Sequence, residues 1–258
     1  METVTSKDGT TIAFDRLGSG PPVVLVCGGS VDRLADAAIA QELASDLTVL
    51  NYDRRGRGDS GDTPPYAIER EVEDIEAVIG AAGGEAFLWG SSSGAVLALI
   101  AAERGLPIRR LALWEPPFIP DGYPLPPEDQ VEQYERMVAE GRRGDAVEYF
   151  MSKVVGLPPE FVEGAKQQPF WGPTEALAHT LAYDARIMAD YRIPVERTAR
   201  VTTPTLVVAG GADMPFMRES AQALADALPN GEARFLDGQG HDVDPAVLGP
   251  VLKGFFAA

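Results

Sequence analysis

At 258 residues, with 45% hydrophobic and 24% charged side chains, the chain has the composition of one large globular domain, or one domain carrying an insertion. No apolar run approaches the length that a membrane span needs. A formal charge of −17, from 39 acidic against 22 basic residues, repels phosphate backbones and sets nucleic acid aside as a partner. The acids are scattered along the chain, so they read as a solvated surface that keeps the protein in solution. Cys27 is the sole cysteine, which excludes an internal disulfide and a cysteine-based metal cluster and fits a reducing compartment. Glu2, Thr3 and the polar turn at Asp8-Gly9 follow Met1 where a secretory leader would be apolar, so cytoplasmic residence is expected.

The first residues, two short alternating runs around Asp8-Gly9, predict an antiparallel hairpin at a sheet edge. Apolar runs bounded by glycine or proline then predict buried strands at 23–26, 48–52, 86–89, 111–114, 205–209 and 233–236. Helical patterns lie between several of them. A helical run is expected over 33–47. Ile68, Val72, Ile75, Ile79 and Ala82 repeat at helical spacing with Glu69, Glu73, Asp74 and Glu76 on other faces, and Met217, Ala221, Leu224 and Leu228 repeat likewise. Strands alternating with helices imply right-handed crossovers and a mostly parallel sheet covered on both faces. The region 116–200 breaks the alternation: prolines cluster from Pro116 to Pro127, and helical patterns follow at 131–140, 145–154 and 175–191. This predicts a helical cap, 116–200, inserted into a core made of 1–115 and 201–258.

Gly90-Ser91-Ser92-Ser93-Gly94 directly follows the strand at 86–89 and opens a helical stretch over 95–104, giving G-x-S-x-G between strand and helix. A serine on such a tight turn has its hydroxyl lifted above the sheet, and the helix that starts there aims its positive dipole end and the Ser93 amide at any oxygen acquiring negative charge. The same residues would also suit a serine-capped helix, so the flanking strand carries the assignment of Ser92 as nucleophile. A serine needs a base, and the chain has only two histidines. His179 falls in a helical pattern; His241 lies in Gly238-Gln239-Gly240-His241-Asp242, after the last strand, where an open α/β sheet places its site. A carboxylate is then needed to fix the imidazole. Asp213 follows the strand at 205–209 and gives the order Ser, Asp, His; Glu115, just past the strand at 111–114, is the alternative acid. A second oxyanion donor is expected from Cys27-Gly28-Gly29-Ser30, with Gly29 the candidate, although a plain glycine turn would use the same residues. Phe118, Tyr134, Met137, Phe170, Trp171 and Met188 are candidates for an apolar substrate pocket.

The glycine turn after the first parallel strand, Asp53-Arg54-Arg55-Gly56-Arg57-Gly58-Asp59-Ser60 matching D-x-R-G-x-G-x-S, the Gly90–Gly94 motif, Asp213 and His241 together resemble the α/β-hydrolase superfamily over nearly the whole chain. The resemblance implies an eight-stranded α/β-hydrolase fold with a lid after the sixth strand. It also implies a Ser92–Asp213–His241 triad, an oxyanion hole at Gly29 and Ser93, and no metal or cofactor. The superfamily often has His-Gly where this chain has Cys27-Gly28. Epoxide hydrolases and haloalkane dehalogenases resemble the chain but attack with a carboxylate at the position of Ser92. Cleavage of an ester or lactone in a small-molecule substrate is the simplest use of these residues; a carbon–carbon bond hydrolase or a cofactor-free haloperoxidase would use the same triad, and a non-catalytic small-molecule-binding protein would keep the pocket alone. The Gly56–Gly61 stretch also satisfies G-x-G-x-x-G, but Asp62-Thr63-Pro64-Pro65 follows where a dinucleotide site needs a helix.

Overall fold

The computed structural model describes residues 1–212, 214 and 216–258. Eight strands form one sheet: β1 (Glu2–Thr5), β2 (Thr11–Leu17), β3 (Pro22–Val26), β4 (Thr48–Tyr52), β5 (Ala86–Ser91), β6 (Ile108–Trp114), β7 (Thr205–Ala209) and β8 (Gly231–Phe235). Their spatial order is β1-β2-β4-β3-β5-β6-β7-β8. The β1–β2 pair is antiparallel, as the Asp8-Gly9 hairpin predicts; β2–β4 is antiparallel as well, and every pair from β4 to β8 is parallel. This is the α/β-hydrolase architecture expected from the sequence.

Alternation along the strands divides the core. Val24, Val26, Leu50, Tyr52, Leu88, Leu111, Leu113 and Val207 face one way, against α2 (Ile68–Ala81), α3 (Ser93–Glu103) and α10 (Phe216–Ala227). Val23, Leu25, Val49, Phe87, Trp89, Ala112, Trp114 and Val208 face the other way, against α1 (Ala37–Leu43) and α11 (Pro245–Ala257). The run expected over 33–47 is shorter, a 3₁₀ turn at Arg33–Asp36 followed by α1. Most of β8 is exposed or half-buried, unlike the buried strand its apolar run suggests, because it is an edge strand.

Between β6 and β7 the described elements are helical: α4 (Gln130–Ala139), α5 (Arg143–Tyr149), α6 (Pro159–Ala165), α7 (Trp171–Ala176), α8 (Leu181–Met188) and α9 (Val195–Thr198). The helix expected over 175–191 is divided into α7, a 3₁₀ turn at Ala178–Thr180 and α8. These helices have a core of their own in Tyr134, Met137, Ala146, Val147, Leu181 and Ala185. Among the described residues no helix is long and apolar enough to cross a membrane.

The entry of α3 beneath the sheet's end depends on Gly94. A Cβ there would lie 2.3 Å from the carbonyl oxygens of both Cys27 and Val26, so α3 can start this close to β3 only without a side chain. Gly80, inside α2, has no atom of the described residues beyond its own helical turn within 4 Å of the same position. Gly94→Ala is therefore expected to lower the unfolding free energy by about 1–3 kcal/mol or more through overpacking. Gly80→Ala should raise it by roughly 0.5–1 kcal/mol, the ordinary helix preference for alanine. Urea denaturation of both variants checks the opposite signs.

Candidate active site

The register of the parallel strands brings their carboxyl ends level. Val26 pairs with Gly90, Ser91 with Trp114, and Trp114 with Val208, so Cys27, Ser92, Glu115 and the Gly210-Gly211 turn emerge side by side. Ser92 sits between β5 and α3 with φ 54° and ψ −124°, a conformation that L-residues avoid and that places it on a sharp corner. Its carbonyl accepts from the Ala95 amide (2.9 Å), starting α3, while its own amide donates to the carbonyl of Trp114 (2.9 Å). The corner is thus fixed from both sides.

Trp114 also reaches the histidine loop. Its indole Nε1 donates to the carbonyl oxygen of His241 (3.0 Å), and the next residue, Glu115, accepts from the imidazole: His241 Nδ1 lies 2.8 Å from Glu115 Oε2. A carboxylate can only accept, so the proton of the neutral ring is on Nδ1 and Nε2 carries the lone pair that can take another. Glu115 Oε1 accepts from the amides of Gly210 (2.9 Å) and Gly211 (3.1 Å). The carboxyl group, 2% exposed, is therefore supplied with donors on both oxygens, as a buried charge requires. Glu115 itself has φ 42°, backbone strain at the strand's end that turns its side chain toward these donors.

Of the acids expected from sequence, the structure thus brings Glu115 onto His241, while Asp213 lies outside the described residues. His179 packs elsewhere, with its ring edge toward Tyr183 and Nε2 4.0 Å from Asp62 Oδ2, and burial lowers its pKa. The Cys27–Ser30 turn lies against Ser92: a Cβ on Gly28 would be 3.2 Å from Ser92 Cβ. Cys27 is fully buried, and burial pushes its thiol up to about 12, so the thiol stays protonated at neutral pH.

The candidate pocket residues do not form one group. Tyr134 and Met137 belong to the core of the α4–α8 helices, with Trp171 packed against it. Phe118 and Met188 line a cavity of about 350 Å³ with Val96, Leu99 and Thr198, whereas Phe170 is half-exposed beside Phe161 in an outer groove. Four buried charges carry no site role in the sequence reading: Arg54, Arg57 and Asp184, which bond to the Cys27–Ser30 turn, and Glu71, which bonds to Arg54. The departure that signals them is the arginine-dense stretch Arg54-Arg55-Gly56-Arg57 between apolar elements. The Gly56–Gly61 stretch opens no helix, and its amides are taken up by the loop and by β2: Asp59 donates to Asp53 Oδ2 (2.8 Å) and Gly61 to the carbonyl of Thr11 (2.8 Å).

A family model described as the alpha/beta hydrolase family matches residues 23–248. A solved alpha/beta hydrolase from Sphaerobacter thermophilus superposes with a TM-score of 0.93 at 54% identity, covering 99% of this chain and 100% of that one. A thermophilic esterase from Thermogutta terrifontis gives a TM-score of 0.76 at 25% identity, over 99% and 97% of the two chains. A Bacillus subtilis protein named as the hydrolase YraK is 36% identical over 95 residues, so the match spans about a third of each protein, 35% in both cases.

Asp36 stands beside this site without a part in it. Its Oδ2 is buried without a hydrogen-bond partner among the described residues, it opposes ionisation of Cys27, and burial pushes its carboxyl up to about 7. An unfolded aspartate titrates near 3.9. The native state accordingly holds the extra proton between about pH 4 and 7, and Asp36 subtracts stability progressively as pH rises across that window. Asp36→Asn is expected to be more stable than wild type at pH 8 by roughly 2–4 kcal/mol, with the difference vanishing toward pH 4. Denaturation midpoints measured across pH 4–8 check the sign.

Proposed function

The chain belongs to the alpha/beta hydrolase family, and from that membership we propose that it is a serine hydrolase cleaving an ester or lactone bond of a small molecule through an acyl-enzyme on Ser92. The observation that carries this reading is the 2.8 Å bond from His241 Nδ1 to the buried carboxylate of Glu115, the residue that follows β6 and is next in the chain to Trp114, which holds the Ser92 amide.

Ser92 Oγ attacks the substrate carbonyl carbon as its proton passes to His241 Nε2. The resulting oxyanion is held by the amides of Gly29, in the turn after β3, and Ser93, the first residue of α3. Collapse expels the alcohol, which takes its proton from the imidazolium. Water, deprotonated by the same nitrogen, then attacks the acyl carbon and releases the acid and free Ser92. Glu115 holds the ring in the Nδ1-protonated form and stabilises the imidazolium. The 116–200 segment acts as the cap that shapes the substrate site. The esterase from Thermogutta terrifontis supports this choice of reaction class by likeness.

A panel of short-chain activated esters and lactones tests the reading. Ser92→Ala should lower kcat at least about 10⁴-fold and abolish labelling by a fluorophosphonate. Absence of turnover and of labelling in the wild type would favour a binding protein instead. Glu115→Gln should cost about 10²- to 10⁴-fold in kcat, more than Asp213→Asn. The opposite ranking would transfer the role of the carboxylate to Asp213.

A further inference from the structure

The carboxylate of Asp184, on α8, projects from the helical segment into the core directly behind the Cys27–Ser30 turn, and is 6% exposed. Its Oδ1 accepts from Arg54 Nη1 (2.9 Å), Arg57 Nη2 (2.8 Å) and the Ser93 hydroxyl (2.9 Å). Its Oδ2 accepts from Arg57 Nη2 (2.9 Å) and the amide of Ser30 (3.3 Å). Burial works against this charge, but Arg57 and Arg54 outweigh it and hold the carboxyl below the usual aspartate range.

The two arginines carry the order onward. Arg57 Nη1 donates to the carbonyl of Gly28 and to that of Val31 (3.2 Å), and Arg54 Nη1 approaches the carbonyl of Cys27 (3.4 Å). A trans peptide unit is planar, with its N–H directed opposite to its C=O. Fixing the Gly28 carbonyl toward Arg57 therefore turns the Gly29 N–H away from the charge cluster. The Gly28 Cα is itself seated against Ser92, as the 3.2 Å approach of its missing Cβ shows. A Cβ on Gly29 would stand 3.1 Å from Asp184 Oδ2 and 3.3 Å from Ser93 Oγ, so the carboxylate is packed under the turn at contact distance.

We infer that Asp184 and Arg57 are a positioning pair that sets the Gly28–Gly29 peptide and Ser93 for the oxyanion, so that a helix outside the sheet completes the site. The inference rests on the serine-hydrolase reading above and deepens it. Neither side chain touches the reacting atoms; they act through the two backbone donors. α8 is by this account a fixed wall, since moving it would strip five hydrogen bonds from one buried carboxylate.

The test measures kcat and KM for an activated ester, alongside the same ester with its carbonyl oxygen replaced by sulfur, in wild type, Asp184→Asn, Arg57→Lys and the double variant Arg57→Gln/Asp184→Asn. Urea midpoints are measured for each. A donor aimed at oxygen makes wild type prefer the oxygen ester strongly. Loss of aim should lower kcat for the oxygen ester about 10- to 100-fold. It should change KM less than about threefold and shrink the oxygen-over-sulfur preference. Where a single variant is too unstable to assay, the double variant, which removes both buried charges together, decides. Folded variants that keep kcat and the oxygen preference within threefold of wild type would overturn the inference while Ser92-dependent activity stands. Activity that survives Ser92→Ala would overturn the underlying reading itself.

Discussion

The carboxylate of Glu115 is buried at the level where β3, β5, β6 and β7 end, and the site is arranged around the need to satisfy it. An unpaired carboxylate at that depth costs several kcal/mol, so both oxygens must find donors. The Gly210 and Gly211 amides serve one oxygen and His241 Nδ1 the other. That single requirement draws the turn after β7 and the loop after β8 toward the end of β6. Trp114 completes the arrangement, because its carbonyl holds the Ser92 amide and its indole holds the His241 carbonyl. The last residue of a central strand thereby fixes backbone on both sides of the proposed proton transfer, and the residue after it holds the imidazole.

Around this centre lies an unusual quantity of buried charge. Arg54 makes a two-pronged contact with Glu71 at 2.8 Å on each side, and Arg55 does the same with Asp74. Arg33 joins the buried Asp53 to the more exposed Asp15 and Asp59. Such pairs gain little net stability over apolar packing, because desolvation nearly cancels their attraction. What they confer is geometry: a planar guanidinium held at two of its three nitrogens has one orientation, and its remaining N–H groups point in directions already set. The turn 53–60 is stiff for this reason, with little apolar surface of its own to fold around.

The sequence makes the sheet and the serine corner legible because both are local. Alternation of Val23 and Leu25 against Val24 and Val26 reports two buried faces without reference to any other strand, and Gly90–Gly94 carries its own strand and helix. The pairing of Glu115 with His241 is not local. The residues are 126 positions apart, and only the register of β6 against β5 and β7 shows that the end of β6 meets the last loop. Asp213 precedes His241 in the expected order but lies outside the described residues. Helical periodicity places Asp74 on a polar face of α2, where it is in fact 1% exposed and paired with Arg55. Composition likewise treats every carboxylate as solvated, so the −17 charge overstates what reaches the surface. The division of the helix expected over 175–191 is invisible to apolar spacing, which continues through Ala178 and Leu181 although the backbone tightens at the intervening 3₁₀ turn.

The buried charges and the helical segment meet at one residue, and this decides how the segment is held. Packing contacts to α2 and α3 are made by α8, and contacts to α3 and α10 by α9, whereas α4 and α5 pack on one another, with α4 on α8 and α5 on α7. The apolar core of Tyr134, Met137, Ala146 and Val147 binds those outer helices to α8 rather than to the sheet. Apolar contact is non-directional and tolerates repacking, while a carboxylate ringed by arginine N–H groups does not. The segment therefore combines two regimes of interaction: outer helices free to vary in shape as long as volume is kept, and one helix whose position is dictated by charge. Asp184 is the boundary between them, which places the freedom to repack on the outer helices and the constraint beside Gly29 and Ser93.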